Sequence, residues 1–376
     1  MIERSRLLAM VAVLAMILAA CGDDGGNVRD LGSDGTSTGS GSGSASASGS
    51  ASGPTMATPG DGGYEYATDV SAHRLVVEDV CEIKDLLEGE TVDYVAIGTI
   101  YTDGVNSVNA DGSVRSLAGF AKAEDRLHGL DAYYGTATPL DDFVSSAIAG
   151  EGIFVEASDG VRSQAIEKGA QNQIMVAWAD HELSSALAKA AEGDFDPPEG
   201  AVHNWDEAWA FYHGAEPGCA PYATADSRAG NFGTTGADGE TALANEQIFA
   251  AFAAGRDALL AGDEAGARTA AEDIRRAVFV TYSQAVIRYA TLVPQDVAAG
   301  DAGAASEHQV EGYAFWRVIE AWAAAAGADV EAINAIFDPA NDPGANGGAA
   351  EVRTALLPAW EALEISPEDI GELSDT

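Results

Sequence analysis

The chain has 376 residues and is strongly acidic, with 60 Asp and Glu against 19 Lys and Arg and a formal net charge of −41. This charge argues against binding to nucleic acid, or to anionic lipid through a basic face. It permits a cationic ligand or partner, but acidity also keeps a secreted protein soluble, so charge alone assigns no function.

The N-terminus carries a signal for export. Two arginines precede an almost wholly apolar run from Leu7 to Ile17, which is too short to span a bilayer as a stable helix. The run ends in Leu18-Ala19-Ala20-Cys21, which resembles the lipobox of bacterial lipoproteins. We predict that residues 1–20 are a signal peptide and that lipid on Cys21 anchors the protein in the cell envelope, in the periplasm or on the outer surface. The alternative is an ordinary cleaved signal with a chance cysteine.

A low-complexity segment rich in glycine and serine follows Cys21 and ends near Gly63. Such a segment has no apolar surface to bury, so we predict that residues 21–63 form a flexible tether with a reach on the order of 35 Å. No later segment is long and apolar enough for a membrane span. The folded domain is therefore predicted to comprise residues 64–376, which is long enough for a large core or two stacked bundles.

Only Cys81 and Cys219 remain after lipidation of Cys21. Two cysteines in an oxidising compartment are expected to pair, and the bridge would tie the first helix of the domain to its middle. Closing such a long loop contributes about 4 kcal/mol in the chain-entropy model. A thiolate metal pair is the weaker alternative, because the spacing is not that of a Cys-x-x-Cys motif.

Apolar residues at helical spacing and abundant alanine recur through most of the domain, whereas strand signals are few. We predict an all-α protein built from antiparallel helical bundles. In chain order, the predicted elements are helices over 76–87 and 92–101, a loop over 103–116, a helix opened by Thr138-Pro139-Leu140-Asp141, helices over 163–191 and 264–293, a helix opened by the capping box Ser306-Glu307-His308-Gln309 and ending near Ala326, and a short helix after Pro367.

A short internal repeat divides the domain into two similar halves, about 64–215 and 240–376. Glu207-Ala208-Trp209-Ala210-Phe211 resembles Glu311-Gly312-Tyr313-Ala314-Phe315. In both halves a long helical pattern comes first, and a loop and a histidine follow it before the repeated segment. We interpret the halves as two bundles packed about a pseudo-twofold axis.

The repeat also places one glutamate in each half toward the core. Glu207 and Glu311 precede Phe211 and Phe315 by four residues, so each pair shares one helix face. A carboxylate that faces a core is costly unless it is paired, hydrogen-bonded or bound to metal. The two could converge near the pseudo-twofold axis and, with histidine or tyrosine, form a set of oxygen and nitrogen donors that suits iron or manganese. The candidate histidines are His181, His203 and His308.

Two structural alternatives also explain these glutamates. They could lie in the first turn of their helices and interact with the helix dipole, or they could pair with Arg275, Arg276 or Arg288.

A hydrolytic zinc site is poorly supported. His181-Glu182-Leu183-Ser184-Ser185 begins like the zinc-protease motif, but Ser185 stands where the second histidine must be.

Several segments together resemble the iron-assimilating, low-iron-inducible periplasmic proteins of algae and their bacterial lipoprotein relatives. Their common order makes the resemblance more specific than any one of them. The segments are Ile100-Tyr101-Thr102-Asp103-Gly104 with Asn106-Ser107, Asn204-Trp205-Asp206-Glu207-Ala208-Trp209-Ala210-Phe211-Tyr212-His213-Gly214, Asn245-Glu246-Gln247-Ile248-Phe249, Gln284-Ala285-Val286-Ile287-Arg288-Tyr289-Ala290 and Glu311-Gly312-x-x-Phe315.

The resemblance implies a non-enzymatic protein that binds iron, as Fe³⁺ or Fe²⁺, outside the cytoplasm and concentrates or delivers it to an uptake component. It implies Glu207 and Glu311 as site residues, near Asp206, Arg288 and Tyr289. Our hypothesis adds His181, Tyr289 and Asp206 as further ligands and Arg288, Gln284, His203 and His308 as supporting residues.

His308-Gln309-Val310-Glu311 is also similar to the His-x-x-Glu of imelysin-like, iron-regulated periplasmic proteins, which implies a related helical fold. Two alternative functions stay open. One is an imelysin-like metallopeptidase, which needs a general base beside a metal-bound water. The other is an envelope interaction scaffold without metal.

Overall fold

The computed structural model describes residues 60–123, 126 and 129–374. This part of the chain is helical and contains no strand, only three isolated bridges. The all-α prediction is therefore confirmed. The helices are α1 Val76–Leu87, α2 Tyr94–Asp103, α3 Leu117–Ala121, α4 Leu130–Tyr134, α5 Pro139–Ala149, α6 Asp159–Lys168, α7 Met175–Ala191, α8 Ala201–Tyr212, α9 Pro221–Phe232, α10 Leu243–Leu260, α11 Glu264–Ala299, α12 Ala302–Ala325, α13 Val330–Phe337, α14 Ala349–Ala362 and α15 Pro367–Ile370.

The most extensive helix packing is between sequential neighbours. Helix α7 packs along α8, and α11 packs along both α10 and α12. A glutamate of the internal repeat lies on the second helix of the α7–α8 pair and another on the second helix of the α11–α12 pair. One continuous core of buried apolar residues runs through these pairs. The pseudo-twofold relation between the halves stays a prediction.

Several predicted helix limits agree with the structure, whereas the predictions over 163–191 and at Ser306 differ from it. The long pattern over 163–191 is two α-helices joined by a π-helical segment, Gly169–Ile174, of the kind that often marks functional regions. The predicted capping box at Ser306 is wrong, because α12 begins at Ala302 and Asp301 caps it by accepting from the Ala304 N–H at 3.0 Å. Ser306 instead donates to the carbonyl of Ala302.

The fold begins before the predicted domain boundary at Tyr64. Asp61, which we assigned to the tether, is buried and accepts from the Tyr66 hydroxyl at 2.7 Å and from Arg74 Nε at 2.9 Å. The indole of Trp209 donates to the Asp61 carbonyl at 3.1 Å. The last residues of the predicted tether therefore belong to the core around α8. The predicted signal peptide, Cys21 and the tether up to residue 59 lie outside the described residues.

The predicted disulfide is present between Cys81 on α1 and Cys219, which lies in a short 3-10 turn, Pro217–Cys219, between α8 and α9. It joins residues 138 positions apart in the chain. No described helix combines the length and apolarity that crossing a membrane requires.

Candidate metal site

Glu207 is a buried carboxylate, 5 % exposed, in the interior of α8. Its Oε1 lies 3.0 Å from His73 Nδ1 and 3.1 Å from His203 Nε2. His203 is one turn earlier on α8, whereas His73 comes from the 3-10 turn His73–Leu75 that precedes α1. The helix periodicity and the packing of this turn on α8 thus bring two imidazoles to one carboxylate oxygen.

An amide joins Glu207 to a second buried carboxylate. Asn204 Nδ2 donates to Glu182 Oε2 at 2.6 Å and to Glu207 Oε2 at 3.3 Å. The other end of this amide, Asn204 Oδ1, is buried and has no hydrogen-bond partner among the described residues. The cluster of His73, Glu182, His203, Asn204 and Glu207, which we call the Glu207 cluster, therefore offers two carboxylates, two imidazoles and one unused amide oxygen.

The charges in this cluster favour an ionised Glu207. Burial alone would raise the pKa of Glu207, but His73 and His203 hold it well below its ordinary value. Burial lowers the pKa of His203, and the hydrogen bond and charge of Glu207 outweigh this, so its pKa is raised. The hydrogen bonds agree. Thr68 Oγ1 donates to Asp206 Oδ2, so it accepts from His203 Nδ1 at 3.1 Å while His203 Nε2 donates to Glu207.

Asp206 contributes to the fold beside this cluster rather than to the cluster itself. Its Oδ1 accepts from the Tyr64 hydroxyl at 2.8 Å, and its Oδ2 accepts from the backbone N–H and the hydroxyl of Thr68, both at 2.8 Å. These bonds hold the first described segment against α8. The prediction of Asp206 as a metal ligand is therefore not supported by its contacts.

Glu311 has different partners. Its Oε1 accepts from the Tyr289 hydroxyl at 3.0 Å and lies 3.8 Å from Lys168 Nζ, while Lys168 Nζ is 2.9 Å from Glu167 Oε1. Burial raises the pKa of Glu311 despite the nearby ammonium. The two repeat glutamates thus lie in separate clusters, and the contacts do not show the convergence we expected.

The remaining predicted site residues make other contacts than with Glu207 or Glu311. The His181 ring packs on Trp178, with centroids 4.7 Å apart, and its Nε2 is 3.5 Å from Ser185 Oγ. His308 Nδ1 is 2.6 Å from Asp296 Oδ2. Gln284 Nε2 donates to Thr234 Oγ1 and to the Ile370 carbonyl, both at 2.9 Å. Arg288 Nε is buried and has no partner among the described residues.

The structure tests the two alternative explanations for Glu207 and Glu311, which are the helix dipole and pairing with arginine. Glu207 and Glu311 both lie more than one turn beyond the start of their helices, so the helix dipole does not explain them. Arg275 pairs with Asp180 and Arg276 with Asp273, rather than with either glutamate. The residue that pairs with Glu311 is Lys168, which the sequence reasoning missed.

Sequence reasoning also missed His73, Glu182 and Asn204. His73 belongs to a turn, where no periodicity marks it. Glu182 was visible only as part of the broken zinc-protease pattern, although it is buried and bonded to Asn204. Asn204 lies three residues before Glu207, a spacing that places both side chains on one face of a helix.

The described part of the chain contains no group of three or more His, Cys, Asp or Glu side chains already arranged to hold a metal ion. In the Glu207 cluster the imidazoles point their N–H groups at the carboxylate. Two donor atoms that bind one ion at about 2.1 Å and at a right angle are roughly 3 Å apart, which matches the observed N···O separations. A metal ion could therefore replace these protons without a large change in the positions of the donors.

Comparison with protein families gives one match. The family model described as "Fea1: Low iron-inducible periplasmic protein" matches residues 42–329, more than half of the chain. The matched region contains both the Glu207 cluster and Glu311. No curated protein and no solved structure matches the chain.

Proposed function

This chain belongs to the family of low iron-inducible periplasmic proteins, and on that premise we propose that it binds iron outside the cytoplasm and concentrates or delivers it for uptake. Membership of the family supports a periplasmic role in iron assimilation. The binding of iron by this chain, its lack of enzymatic activity and its anchoring through lipid on Cys21 are parts of our proposal. The tether before the fold would let the domain move while it stays near the membrane.

One observation carries the proposal: a single oxygen of Glu207 is within hydrogen-bond distance of His73 Nδ1 and His203 Nε2. Two imidazoles and the carboxylates of Glu207 and Glu182 form a donor set that suits iron. The unused Asn204 Oδ1 adds another oxygen. If metal replaces the Nε2 proton of His203, the Nδ1 proton still bonds to Thr68, an outer contact that commonly orients a ligating histidine.

The Glu311 cluster suits a metal ion less well. The ammonium of Lys168 already lies between Glu311 and Glu167, 3.8 Å and 2.9 Å from their oxygens. A metal ion there would have to displace or tolerate a buried positive charge. We therefore propose one iron site in each chain, at the Glu207 cluster.

Calorimetry of the chain without its signal peptide and with Cys21→Ser tests the proposal. We expect Fe²⁺ under anaerobic conditions, or Fe³⁺ supplied as a weak chelate, to bind near one equivalent. Glu207→Gln should abolish binding, because it removes the central carboxylate and keeps the side-chain size. Glu311→Gln is the matched control and should bind as the parent does.

Two results would contradict the proposal. Absence of iron binding by the parent would favour the scaffold alternative, in which Glu207 only forms an internal ion pair. Equal loss of binding in the Glu207 and Glu311 variants would show that the site is not where we place it.

A further inference from the structure

The hydroxyl of Thr68 lies between two side chains of α8. Its Oγ1 is 2.8 Å from Asp206 Oδ2 and 3.1 Å from His203 Nδ1. The backbone N–H of Thr68 donates to the same Asp206 oxygen, also at 2.8 Å. Because both donors of Thr68 bind one carboxylate oxygen, its backbone and side chain are fixed together. The segment before α1 thus presents an oriented hydroxyl to the ring of His203.

Asp206 determines which way this hydroxyl points. Its side chain is buried, and its other oxygen, Oδ1, accepts from the Tyr64 hydroxyl at 2.8 Å. A backbone N–H can only donate, so Oδ2 accepts from Thr68, and the carboxylate acts as an acceptor through both oxygens. A hydroxyl has a single proton. The Thr68 proton is therefore directed to Asp206, and the Thr68 oxygen accepts from His203.

This direction matters for the two ring nitrogens of His203. Neutral imidazole carries one proton, and a metal ion binds the nitrogen that lacks it. Thr68 favours a proton on Nδ1, whereas Glu207 Oε1, 3.1 Å from Nε2, favours a proton on Nε2. The hydrogen bond at one ring nitrogen sets the protonation of the other. Without an acceptor at Nδ1, the proton would lie on Nε2, the nitrogen that faces Glu207.

We propose that Asp206 and Thr68 are positioning residues for the metal site. Asp206 orients the Thr68 hydroxyl, and Thr68 keeps the His203 proton on Nδ1, so that the lone pair of Nε2 is available to a metal ion. This inference rests on the proposed function. It gives Asp206 a role in metal binding that acts through a hydroxyl rather than through a bond to the metal.

Thr68→Val tests this arrangement, because it replaces the hydroxyl with a methyl group and leaves the charge of the site unchanged. The first readout is NMR of metal-free protein labelled with ¹⁵N in histidine, at a pH where the His203 ring is neutral. The parent should carry the His203 proton on Nδ1. In Thr68→Val the proton should lie on Nε2, where Glu207 accepts it. Thr68→Ser keeps the hydroxyl and should retain the parent's tautomer.

The second readout is calorimetry with Fe²⁺ under anaerobic conditions. Loss of an outer contact to a ligating histidine lowers metal affinity by about 10–100-fold, so Thr68→Val should weaken Fe²⁺ binding to this extent, whereas Thr68→Ser should bind as the parent does. Tyr64→Phe is the matched control, because it removes another hydroxyl that donates to Asp206 and leaves the Thr68 contacts in place. It should change neither the tautomer nor the Fe²⁺ affinity.

Asp206→Leu tests the carboxylate itself. With no acceptor at this position the Thr68 hydroxyl can donate to Nδ1, so the His203 proton should again lie on Nε2. Only the tautomer is compared for this variant, because removing a negative charge changes cation affinity by itself. A folded Asp206→Leu protein that keeps the parent's tautomer would contradict the role of Asp206. The Thr68 variants carry the test where Asp206→Leu does not fold.

The outcomes separate this inference from the proposed function. If Thr68→Val keeps the parent's tautomer or its Fe²⁺ affinity, the positioning role is wrong and the iron site stands. If Tyr64→Phe weakens Fe²⁺ binding as much as Thr68→Val does, the loss follows from a weakened fold, and the positioning role is again wrong. If the parent binds no Fe²⁺, both proposals fail.

Discussion

Glu207 Oε1 and His73 Nδ1 lie 3.0 Å apart and join the interior of α8 to the turn that precedes α1. The contact belongs to the fold as well as to the proposed iron site, because both side chains are buried. Removing one partner takes a hydrogen bond from the other in the interior, which destabilises the folded state. Variants of this cluster therefore require separate measurements of metal affinity and of the free energy of unfolding.

Co²⁺ serves here as a stand-in for Fe²⁺ that keeps its charge during the assay. Replacing His73 with phenylalanine should weaken Co²⁺ binding at the Glu207 cluster by more than tenfold, since changes to outer contacts alone cost ~10–100-fold. It should also lower the free energy of unfolding by about 1–3 kcal/mol, because buried Glu207 loses a donor. Calorimetry and urea unfolding measure the two effects. His213→Phe is the control: His213 is buried and stacks on Trp209 with centroids 5.1 Å apart, and its loss should leave Co²⁺ affinity unchanged. Equal weakening of Co²⁺ binding in both variants would contradict His73 as a ligand.

Glu167 gives a prediction for the pH dependence of stability. Burial alone would raise its pKa, but the ammonium groups of Lys168 and Lys84 hold it below the ordinary value of 4.5. Because the pKa is lower in the folded state, ionised Glu167 stabilises the fold above pH 4.5, and this contribution is lost as the pH falls through the folded-state pKa. Glu167→Gln should therefore be less stable than the parent at pH 7, and the difference should shrink in acid. A difference that is constant or grows in acid, measured by urea unfolding, would contradict this prediction.

Much of the fold could be predicted from periodicity. The apolar spacing at Val76 to Leu87 gave the correct limits of α1, and proline at position 139 correctly marked the start of α5. The Ser306 start failed because Asp301, five residues earlier, caps α12 through an equally local hydrogen bond. Local capping signals compete, and the sequence does not show which one the packing selects.

The candidate site was predicted only in part, because periodicity reports which face of a helix is buried and not what lies opposite. It correctly predicted that Glu207, like Phe211, is buried. It could not find His73, whose approach to Glu207 depends on how the turn before α1 packs on α8. Nor could it show that Lys168, at the end of α6, pairs with Glu311.

Gly312 tests the helix contact beside Glu311. A Cβ at this position would lie 2.0 Å from Cε1 of the Phe337 ring, so α12 and α13 approach too closely for any side chain. Gly312→Ala should destabilise the protein by about 1–3 kcal/mol through overpacking. At Gly230 in α9 the same methyl group meets open space, so Gly230→Ala should be neutral or stabilising. Thermal unfolding that shows both variants equally stable would contradict this close contact.

The disulfide should contribute strongly to stability because it closes a long loop. Cys81 and Cys219 are 138 residues apart, for which the chain-entropy model gives about 4–5 kcal/mol. The double variant Cys81→Ser with Cys219→Ser should unfold at correspondingly lower urea concentration. A thiol reductant should destabilise the parent to the same extent and leave the double variant unchanged. An effect of reductant on the variant would show that it acts elsewhere.

Lys168 provides a test of the separation between the two glutamate clusters. Lys168→Met removes the ammonium that Glu311 and Glu167 share, and breaking a buried pair in this way costs roughly 3 kcal/mol. The pKa of Glu311 is already raised by burial, and loss of Lys168 should raise it further. A carboxyl with a raised folded-state pKa stabilises the fold as it takes up its proton, so the variant should recover stability as the pH falls toward 4.5. Adding Glu311→Gln should restore part of the loss at pH 7, because no unpaired charge remains at that position.

Co²⁺ affinity should stay at the parent's value in both variants, since neither residue contacts the Glu207 cluster. If Co²⁺ binding falls in the folded variants, the two clusters act as one site, and the assignment of iron to Glu207 alone is wrong.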